Sequence, residues 1–383
     1  MLKQRNDLTR ILITGAQGFV GKNLQLYLVE RPDVQVALYT RQDDPARLPT
    51  LLQDADIVFH LAGVNRPQNP AEFQSGNADL TRQLADAVAQ VARESGRAVP
   101  VVYTSSTQAD LDNPYGRSKR EAEQVLFSLA EQHAVPAYVF RLPNVFGKWC
   151  RPNYNSVVAT FCHNIARDLP IQVNDPAAPL TLVYVDDVLA QFVEIMAGRL
   201  PAPRSGEFAS VTPQYQTTVG ALAEQLQGFR RSRDSLTTDR VGQGLTRALY
   251  STYVSYLPVD AFAYDVPAHR DPRGVFVEML KTPDAGQFSF FTAHAGVTRG
   301  GHYHHSKTEK FLVIKGQARF RFRHMQTGQL HVLHTSGEQP QIVETVPGWT
   351  HDITNVGPDE MVVMLWANEI FDPQRPDTFS CPV

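Results

Sequence analysis

The stretch Arg10-Ile-Leu-Ile-Thr-Gly15-Ala-Gln-Gly18-Phe-Val-Gly21 leaves this chain few options. A short apolar run of this kind reads as a parallel strand, buried on both faces. Gly15, Gly18 and Gly21 then permit a sharp turn, and Lys22-Asn-Leu-Gln-Leu-Tyr-Leu continues as a helix. Such a unit offers open backbone N–H groups and a positive dipole end, which suit a pyrophosphate. A glycine triplet alone says little; its place between strand and helix gives it weight. The 383 residues lead us to expect two domains. The net charge of −3 gives no electrostatic case for nucleic acid or an anionic membrane. No apolar run reaches the length of a membrane span, and Met1-Leu-Lys-Gln-Arg-Asn-Asp lacks the apolar core of a signal peptide. Cys150, Cys162 and Cys381 form neither a Cys-x-x-Cys pair nor a disulfide framework, so a reducing cytoplasm is expected.

The second strand, Val34 to Thr40, ends at Arg41 rather than at an acid. An acid there would bind the ribose 2′-hydroxyl of NAD, whereas a guanidinium suits the 2′-phosphate, so NADPH is expected ahead of NADH. Asp54-Ala-Asp56-Ile-Val-Phe-His60-Leu-Ala62-Gly63 reads as a further buried strand with a glycine exit. Asp56 and Ala62 are expected beside the cofactor, and His60 is read as a structural residue at the strand end.

Val99 to Ser106 is the next strand, and Tyr115-Gly-Arg-Ser-Lys119 follows on a helix. Residues i and i+4 share a helical face, which brings the Lys119 ammonium towards the Tyr115 phenol. Such a cation is expected to lower the phenol pKa and make Tyr115 a usable proton donor and acceptor. Ser106, by its strand position, would hydrogen-bond a reacting carbonyl; Ser105 and Thr107 are alternatives.

These motifs resemble the extended short-chain dehydrogenase/reductase family over about residues 8–250. The resemblance implies a Rossmann-type, doubly wound α/β sheet, with Ser106, Tyr115 and Lys119 catalytic and Gly15, Gly18, Gly21, Arg41, Asp56, Ala62, Tyr115 and Lys119 at the cofactor. Arg141-Leu-Pro-Asn144-Val-Phe-Gly147 resembles the family's nucleotide-sugar segment and makes Asn144 the candidate substrate-binding residue. Dehydratases of the family carry an Asp-Glu pair where this chain has Thr107-Gln108-Ala109, so a ketone reductase or an epimerase is expected instead.

From residue 262 the pattern changes to short alternating segments, among them Lys310-Phe-Leu-Val-Ile, Ala318 to Arg323 and Met361 to Trp366. Residues 1–260 are therefore read as one domain and 261–383 as another, docked without a Gly/Ser linker. Leu249 to Pro258 is aromatic-rich and is expected to pack between them. Arg230-Arg-Ser-Arg-Asp-Ser reads as a solvated charged turn, with a diphosphate site as the alternative. Gly296, His302, His304, Glu309 and Gly316, followed by Pro347-Gly348, His351 and Asn355, resemble the two motifs of the cupin family, an all-β barrel. His302 and His304 lie two apart on a strand, so their rings share a side, while His305 points away. Three imidazoles and a carboxylate suit Zn²⁺, or another divalent first-row metal. The arginines of Ala318-Arg-Phe-Arg-Phe-Arg are either solvated or placed at a barrel mouth for phosphates.

Reductase followed by cupin resembles a family of bifunctional enzymes of capsular polysaccharide and O-antigen synthesis. Asp271-Pro-Arg-Gly274 and Trp366-Ala-Asn-Glu369 add to that likeness. It implies a UDP-linked 4-keto-6-deoxy-N-acetylhexosamine as substrate, a 6-deoxytalosamine-type product on the way to UDP-N-acetyl-L-fucosamine, and a homodimer. Chemistry orders the steps. A C4 ketone acidifies the C3 hydrogen and a nearby cation stabilises the resulting charge, so epimerisation must precede reduction. For the C3 base, Tyr303, His305, Lys310 and His324 stay open.

Overall fold

The computed structural model describes residues 8–271, 274–277, 279, 280, 282, 286–369 and 372–383. Pro272 and Arg273 of the segment singled out above lie outside the described residues. The chain divides into two compact units, Met1–Asn155 with Thr181–Gln216, and Ser156–Leu180 with Thr217–Val383.

In the first unit, β1 (Thr9–Thr14), α1 (Phe19–Val29), β2 (Val34–Tyr39), α2 (Arg47–Asp54), β3 (Ile57–His60), a short α3 (Ala71–Phe73), α4 (Leu80–Ser95), β4 (Val101–Ser106), α5 (Pro114–His133) and β5 (Ala137–Leu142) alternate along the chain. The five strands form one parallel sheet in the order β2-β1-β3-β4-β5. Alternate residues feed opposite faces. Leu12, Val58, Val101 and Val139 pack with Leu84 and Val88 of α4 and Leu126 of α5. After β6 (Asn144–Phe146) the chain passes through α6 (Val157–Ile165), which belongs to the second unit, to β7 (Pro179–Tyr184), α7 (Val185–Met196) and β8 (Tyr215–Thr218), and the three strands form a small sheet β6-β7-β8. Ile11, Ile13, Phe59 and Phe140 cover the other face with Leu24 and Leu28 of α1 and Phe192 of α7. Helices thus lie on both faces, the doubly wound arrangement the strand pattern predicts. The strand order reverses at β1 and β3, and their carboxyl ends open the crevice in which such sheets bind ligands.

The second unit holds α6, α8 (Val219–Ser235) and α9 (Gly244–Val254), then β9 (Ala263–Asp265) and a hairpin of β10 (Ala268–Asp271) and β11 (Gly274–Val277). The barrel strands follow: β12 (Gln287–Ala293), β13 (Thr298–Tyr303), β14 (Glu309–Lys315), β15 (Gln317–His324), β16 (Leu330–Ser336), β17 (Gln341–Glu344), β18 (Trp349–Asn355), β19 (Met361–Ala367) and β20 (Phe379–Ser380). They build two five-stranded sheets, β12-β19-β14-β17-β9 and β16-β15-β18-β13-β20, with antiparallel pairing. Compactness therefore draws its line elsewhere than the change of pattern near residue 260. The reason lies in the aromatic stretch, which packs inside this unit. Tyr250 and Tyr253 of α9 stack on Phe229 of α8, with ring centroids 5.1 and 6.0 Å apart. Arg233 of α8 lies 3.4 Å from the Glu344 carboxylate of β17. The Arg230 to Arg233 run is the end of α8, not a turn. Arg230 pairs with Asp168, and Arg231 with Glu224, so neither arginine is held out for a diphosphate. On β15 the buried side is Ala318, Phe320 and Phe322, and the arginines occupy the other face, away from the barrel interior. Arg321 pairs there with Asp352, and Arg323 donates to the Pro382 carbonyl at 2.7 Å. No helix among the described residues is long and apolar enough to cross a membrane.

Candidate active sites

Gly15 sits at the crevice with φ +70°, and a Cβ there would stand 2.4 Å from the backbone nitrogen of Ala62. Only glycine lets the β1–α1 turn press so closely on the chain leaving β3. At Gly21 a Cβ would meet the Gly15 carbonyl at 2.4 Å, so that glycine seats α1 beneath the turn. α1 carries no side-chain cap and no acid in its first turn, which leaves its N–H groups to an anion. Gly15, Gly18, Gly21 and Ala62 are thus brought together. Arg41 follows β2 at the same end of the sheet, exposed and without a hydrogen bond or ion pair among the described residues. Asp56 is not brought there. It precedes β3 at the opposite, amino end of the sheet, where it accepts from the Arg10 N–H at 2.8 Å and faces Arg97 at 3.6 Å. Its expected role at the cofactor is therefore corrected to that of a strand-end tie. Asn144 starts β6, and its amide donates to the Thr181 carbonyl at 3.1 Å; it does not line the Tyr115 cavity.

Tyr115 enters α5 just after the helix cap, where the Asn113 side chain accepts from the Gly116 N–H at 2.8 Å. It lines a cavity of about 330 Å³ with Asn65, Arg66, Phe73, Gln108 and Asn155. Of the three candidate hydroxyls at the β4 end, Ser105 and Ser106 have different partners. Ser105 is buried and donates to Glu123, itself clasped by Arg141 at 2.7 and 3.0 Å. The Ser106 hydroxyl accepts from the Gln108 N–H at 3.1 Å and pulls the Tyr115 phenol downward. The expected lowering of that phenol is not found. Burial pushes Tyr115 up, and the Ser106 hydroxyl pulls only partly the other way. Lys119 explains the difference. Its Nζ donates to the Thr104 carbonyl at 2.9 Å and lies 4.6 Å over the Tyr103 ring. Burial lowers the ammonium to about 8, against the pull of Glu123.

His60 is fully buried between two hydroxyls, Thr14 Oγ1 at 2.7 Å and Thr81 Oγ1 at 2.9 Å. Burial first, then the Lys119 charge, lowers it to about 3, so it is a neutral structural residue. Below its unfolded pKa of about 6.5 the unfolded chain takes up a proton that the folded unit refuses. Stability should therefore fall as pH drops from about 6.5 towards 3, at up to about 1.4 kcal/mol per pH unit from this group. Urea titrations between pH 7 and 4 should show a shallower slope for His60→Gln than for the unaltered protein; equal slopes would refute the assignment.

In the barrel, a bulge at Gly300 and Gly301, φ +95° and +75°, shifts the register so that His302 stands opposite His351. Glu309 comes from β14 in the facing sheet, and His304 from the loop that joins the sheets. One donor atom from each of the four residues lies within 4.8 Å of the others. His304 Nε2 is 3.1 Å and His351 Nε2 3.6 Å from Glu309 Oε2. The His302 ring lies 5.0 Å from that of His304 and 4.8 Å from that of His351. Phe311, Phe320 and Phe322 wall the cluster.

A divalent metal fits this donor set on three counts. Both ring nitrogens of buried His351 lack a hydrogen-bond partner. Burial, then His351 and His304, lower His302 to about 3, leaving a neutral ring; burial also lowers His351. Burial opposes the Glu309 charge, yet His304 and His351 hold that carboxyl well below its usual range. Such N₃O sets are those of zinc and its neighbours. His305 faces away, against Tyr303 and Phe379. Lys310 is buried in an ion pair with Glu344 and donates to the Tyr264 hydroxyl at 3.0 Å; its charge is held, which removes it from the candidate bases. Asp377 was invisible to motif reading. Its carbonyl oxygen lies 2.6 Å from His304 Nδ1, and no spacing signal connects residues 73 apart.

Comparison with known proteins agrees with both halves. The NAD dependent epimerase/dehydratase family matches residues 11–204, and the polysaccharide biosynthesis C-terminal domain residues 269–379. UDP-2-acetamido-2,6-beta-L-arabino-hexul-4-ose reductase of Pseudomonas aeruginosa is 63% identical over 374 residues, covering 98% of this chain and 99% of its own. The crystal structure of the capsular polysaccharide assembling protein CapF from Staphylococcus aureus aligns with a TM-score of 0.66 at 42% identity, over 97% of this chain and 100% of its own. UDP-glucuronic acid 4-epimerase from Bacillus cereus, 18% identical with a TM-score of 0.50 over 59% of this chain and 84% of its own, shares the fold alone. The chain belongs to the NAD dependent epimerase/dehydratase family, in the form that carries a polysaccharide biosynthesis C-terminal domain.

Proposed function

We propose that this chain epimerises C3 of a UDP-linked 2-acetamido-2,6-dideoxy-4-ketohexose in its barrel and then reduces C4 with NADPH in its N-terminal unit. The product would be a UDP-N-acetyl-6-deoxytalosamine-type sugar, a precursor of UDP-N-acetyl-L-fucosamine for capsule or O-antigen. The name of the Pseudomonas aeruginosa relative supports the reductase half. The observation that carries the two-step reading is the convergence of four metal-type ligands in a chain whose other unit holds Ser106, Tyr115 and Lys119. We divide the labour as the sequence pattern does, with residues 1–260 for reduction and 261–383 for epimerisation.

In the reductase, Gly15, Gly18, Gly21 and Ala62 receive the dinucleotide, and a bound nicotinamide supplies the hydride. Tyr115, kept protonated by burial, gives its proton to the C4 oxygen as charge develops there. Ser106 donates a second hydrogen bond to that oxygen. Lys119 secures the strand end through the Thr104 carbonyl and places a cation below the site. Asn144 is assigned to the nucleotide-sugar. In the barrel, His302, His304, Glu309 and His351 would hold Zn²⁺ or a similar cation. Bound there, that ion would stabilise negative charge on a carbonyl oxygen while one group takes the proton of the neighbouring carbon as a base and a second returns one to the opposite face. Phe311 and Phe322 pack against the His351 ring.

A second reading keeps the reductase and makes the barrel a sugar-binding or dimer-forming module. The burial of Lys310 and Tyr303 favours it, since neither is open to a substrate proton. Phe288 and Phe290, exposed on the edge strand β12, give either reading a surface for a homodimer. Three cysteines outside any disulfide and nucleotide-sugar chemistry fit a cytoplasmic setting.

The Arg41 assignment is tested by cofactor choice. Arg41→Ala should raise KM for NADPH about tenfold or more, since a charge-assisted hydrogen bond is worth about 1.5–3 kcal/mol, and leave KM for NADH little changed. Parallel kinetics with the two cofactors decide it. Equal effects on both would assign Arg41 no part in choosing between them.

A further inference from the structure

The segment 376–382 runs along β13, the strand that bears His302 and leads into His304. Ser380 pairs with His302 and Phe379 with Tyr303. The Cys381 N–H donates to the Gly301 carbonyl at 2.8 Å, and the Thr350 hydroxyl donates to the Cys381 carbonyl. At its head, Asp377 turns with φ +37° and grips the ligand loop twice. Its carbonyl oxygen sits 2.6 Å from His304 Nδ1. Its carboxylate, 14% exposed, accepts three successive backbone N–H groups: His305 at 2.9 Å, Ser306 at 2.9 Å and Lys307 at 2.7 Å. The Ser306 hydroxyl adds a fourth bond at 3.1 Å. Arg247 of α9 donates to the Ser306 hydroxyl and pairs with Glu369 at 2.9 Å. Lys307 Nζ donates to Thr378 Oγ1 at 2.7 Å.

A carbonyl oxygen only accepts, so His304 donates its Nδ1 proton to Asp377, and this bond aims the ring so that Nε2 faces Glu309 Oε2 at 3.1 Å, where a cation would sit between them. The three N–H bonds fix the turn from which that ring projects. A carboxylate accepting several backbone N–H groups makes a strong and directional clamp.

We propose that Asp377 is a positioning residue for the metal centre: it sets the tautomer and direction of His304 and makes segment 376–382 the frame for two of the four ligands. This rests on the metal reading of His302, His304, Glu309 and His351. Asp377 touches neither metal nor substrate and acts through the loop it clamps.

The test is titration of the full-length, metal-stripped protein with Co²⁺, reading both affinity and the visible absorption bands, which report ligand geometry. Zn²⁺ competition gives the second affinity. Asp377→Asn keeps the shape but turns an amide NH₂ towards backbone N–H groups. It should bind both metals about ten- to a hundredfold more weakly, with altered cobalt bands. Arg375→Ala, two residues away with its side chain 89% exposed, should match the unaltered protein. Thermal unfolding of the metal-free forms measures how far Asp377→Asn lowers general stability, and the metal titrations are compared at a temperature where both forms are fully folded. Should Asp377→Asn fail to fold, Ser306→Ala takes its place, with about a threefold loss of affinity and a shifted spectrum expected. Unchanged affinity and bands in whichever variant folds would overturn the proposal while the metal reading stands. No cobalt binding by the unaltered protein would overturn both.

Discussion

Tyr115→Phe should cut NADPH oxidation by about a thousandfold while solvent deuterium still enters the substrate at C3. A positioned general acid is worth roughly 10²–10⁴ in rate, and we propose the phenol as the proton donor of this site. Burial raises its pKa, so it is protonated at neutral pH and suited to give rather than to take a proton. The substitution removes one oxygen from a partly apolar cavity and leaves the Phe73 contact in place, so the fold should be kept. The barrel does not share this group, and its exchange reaction should continue. The two readings are kinetics of NADPH absorbance and NMR of recovered substrate in D₂O. Loss of both activities together would mean that one site does both steps.

His302→Ala should give the opposite split. With one of four ligands gone, metal content falls, and C3 exchange should slow by about a hundredfold or more, since such an ion stabilises developing charge by several kcal/mol. Reduction should persist, but on the unepimerised ketone, so the product carries the other configuration at C3. Metal analysis with product NMR reads both. Loss of metal with unchanged product stereochemistry would favour the barrel as a binding module.

Much of this was legible in the residues because short-range rules govern it. The Gly15 turn follows from an apolar run meeting glycines, and the close approach to Ala62 shows why no larger residue serves. Tyr115 and Lys119 share a face through helical geometry, and His304, one residue past the end of β13, still comes to the side of His302. What was not legible depends on the tertiary surroundings. Asp56 is one step from a cofactor-facing strand in sequence, yet strand direction puts it at the wrong end. Helical spacing aims Lys119 at the Tyr115 phenol, but the Thr104 carbonyl holds that ammonium and burial dominates. The aromatic stretch of α9 packs on Phe229 of α8 and brings the Tyr250 hydroxyl within 3.5 Å of Glu344 of β17, contacts that no local pattern fixes. Asp377 supports His304 across 73 residues of chain, a link no local pattern carries.

The most direct test is one reaction: purified protein, the UDP-linked 4-keto sugar and NADPH in D₂O, with the product read by NMR. Two chemistries in one chain predict deuterium at C3, inverted configuration there, and a C4 hydrogen delivered from NADPH. A reduced product that keeps its original hydrogen and configuration at C3 would contradict the account.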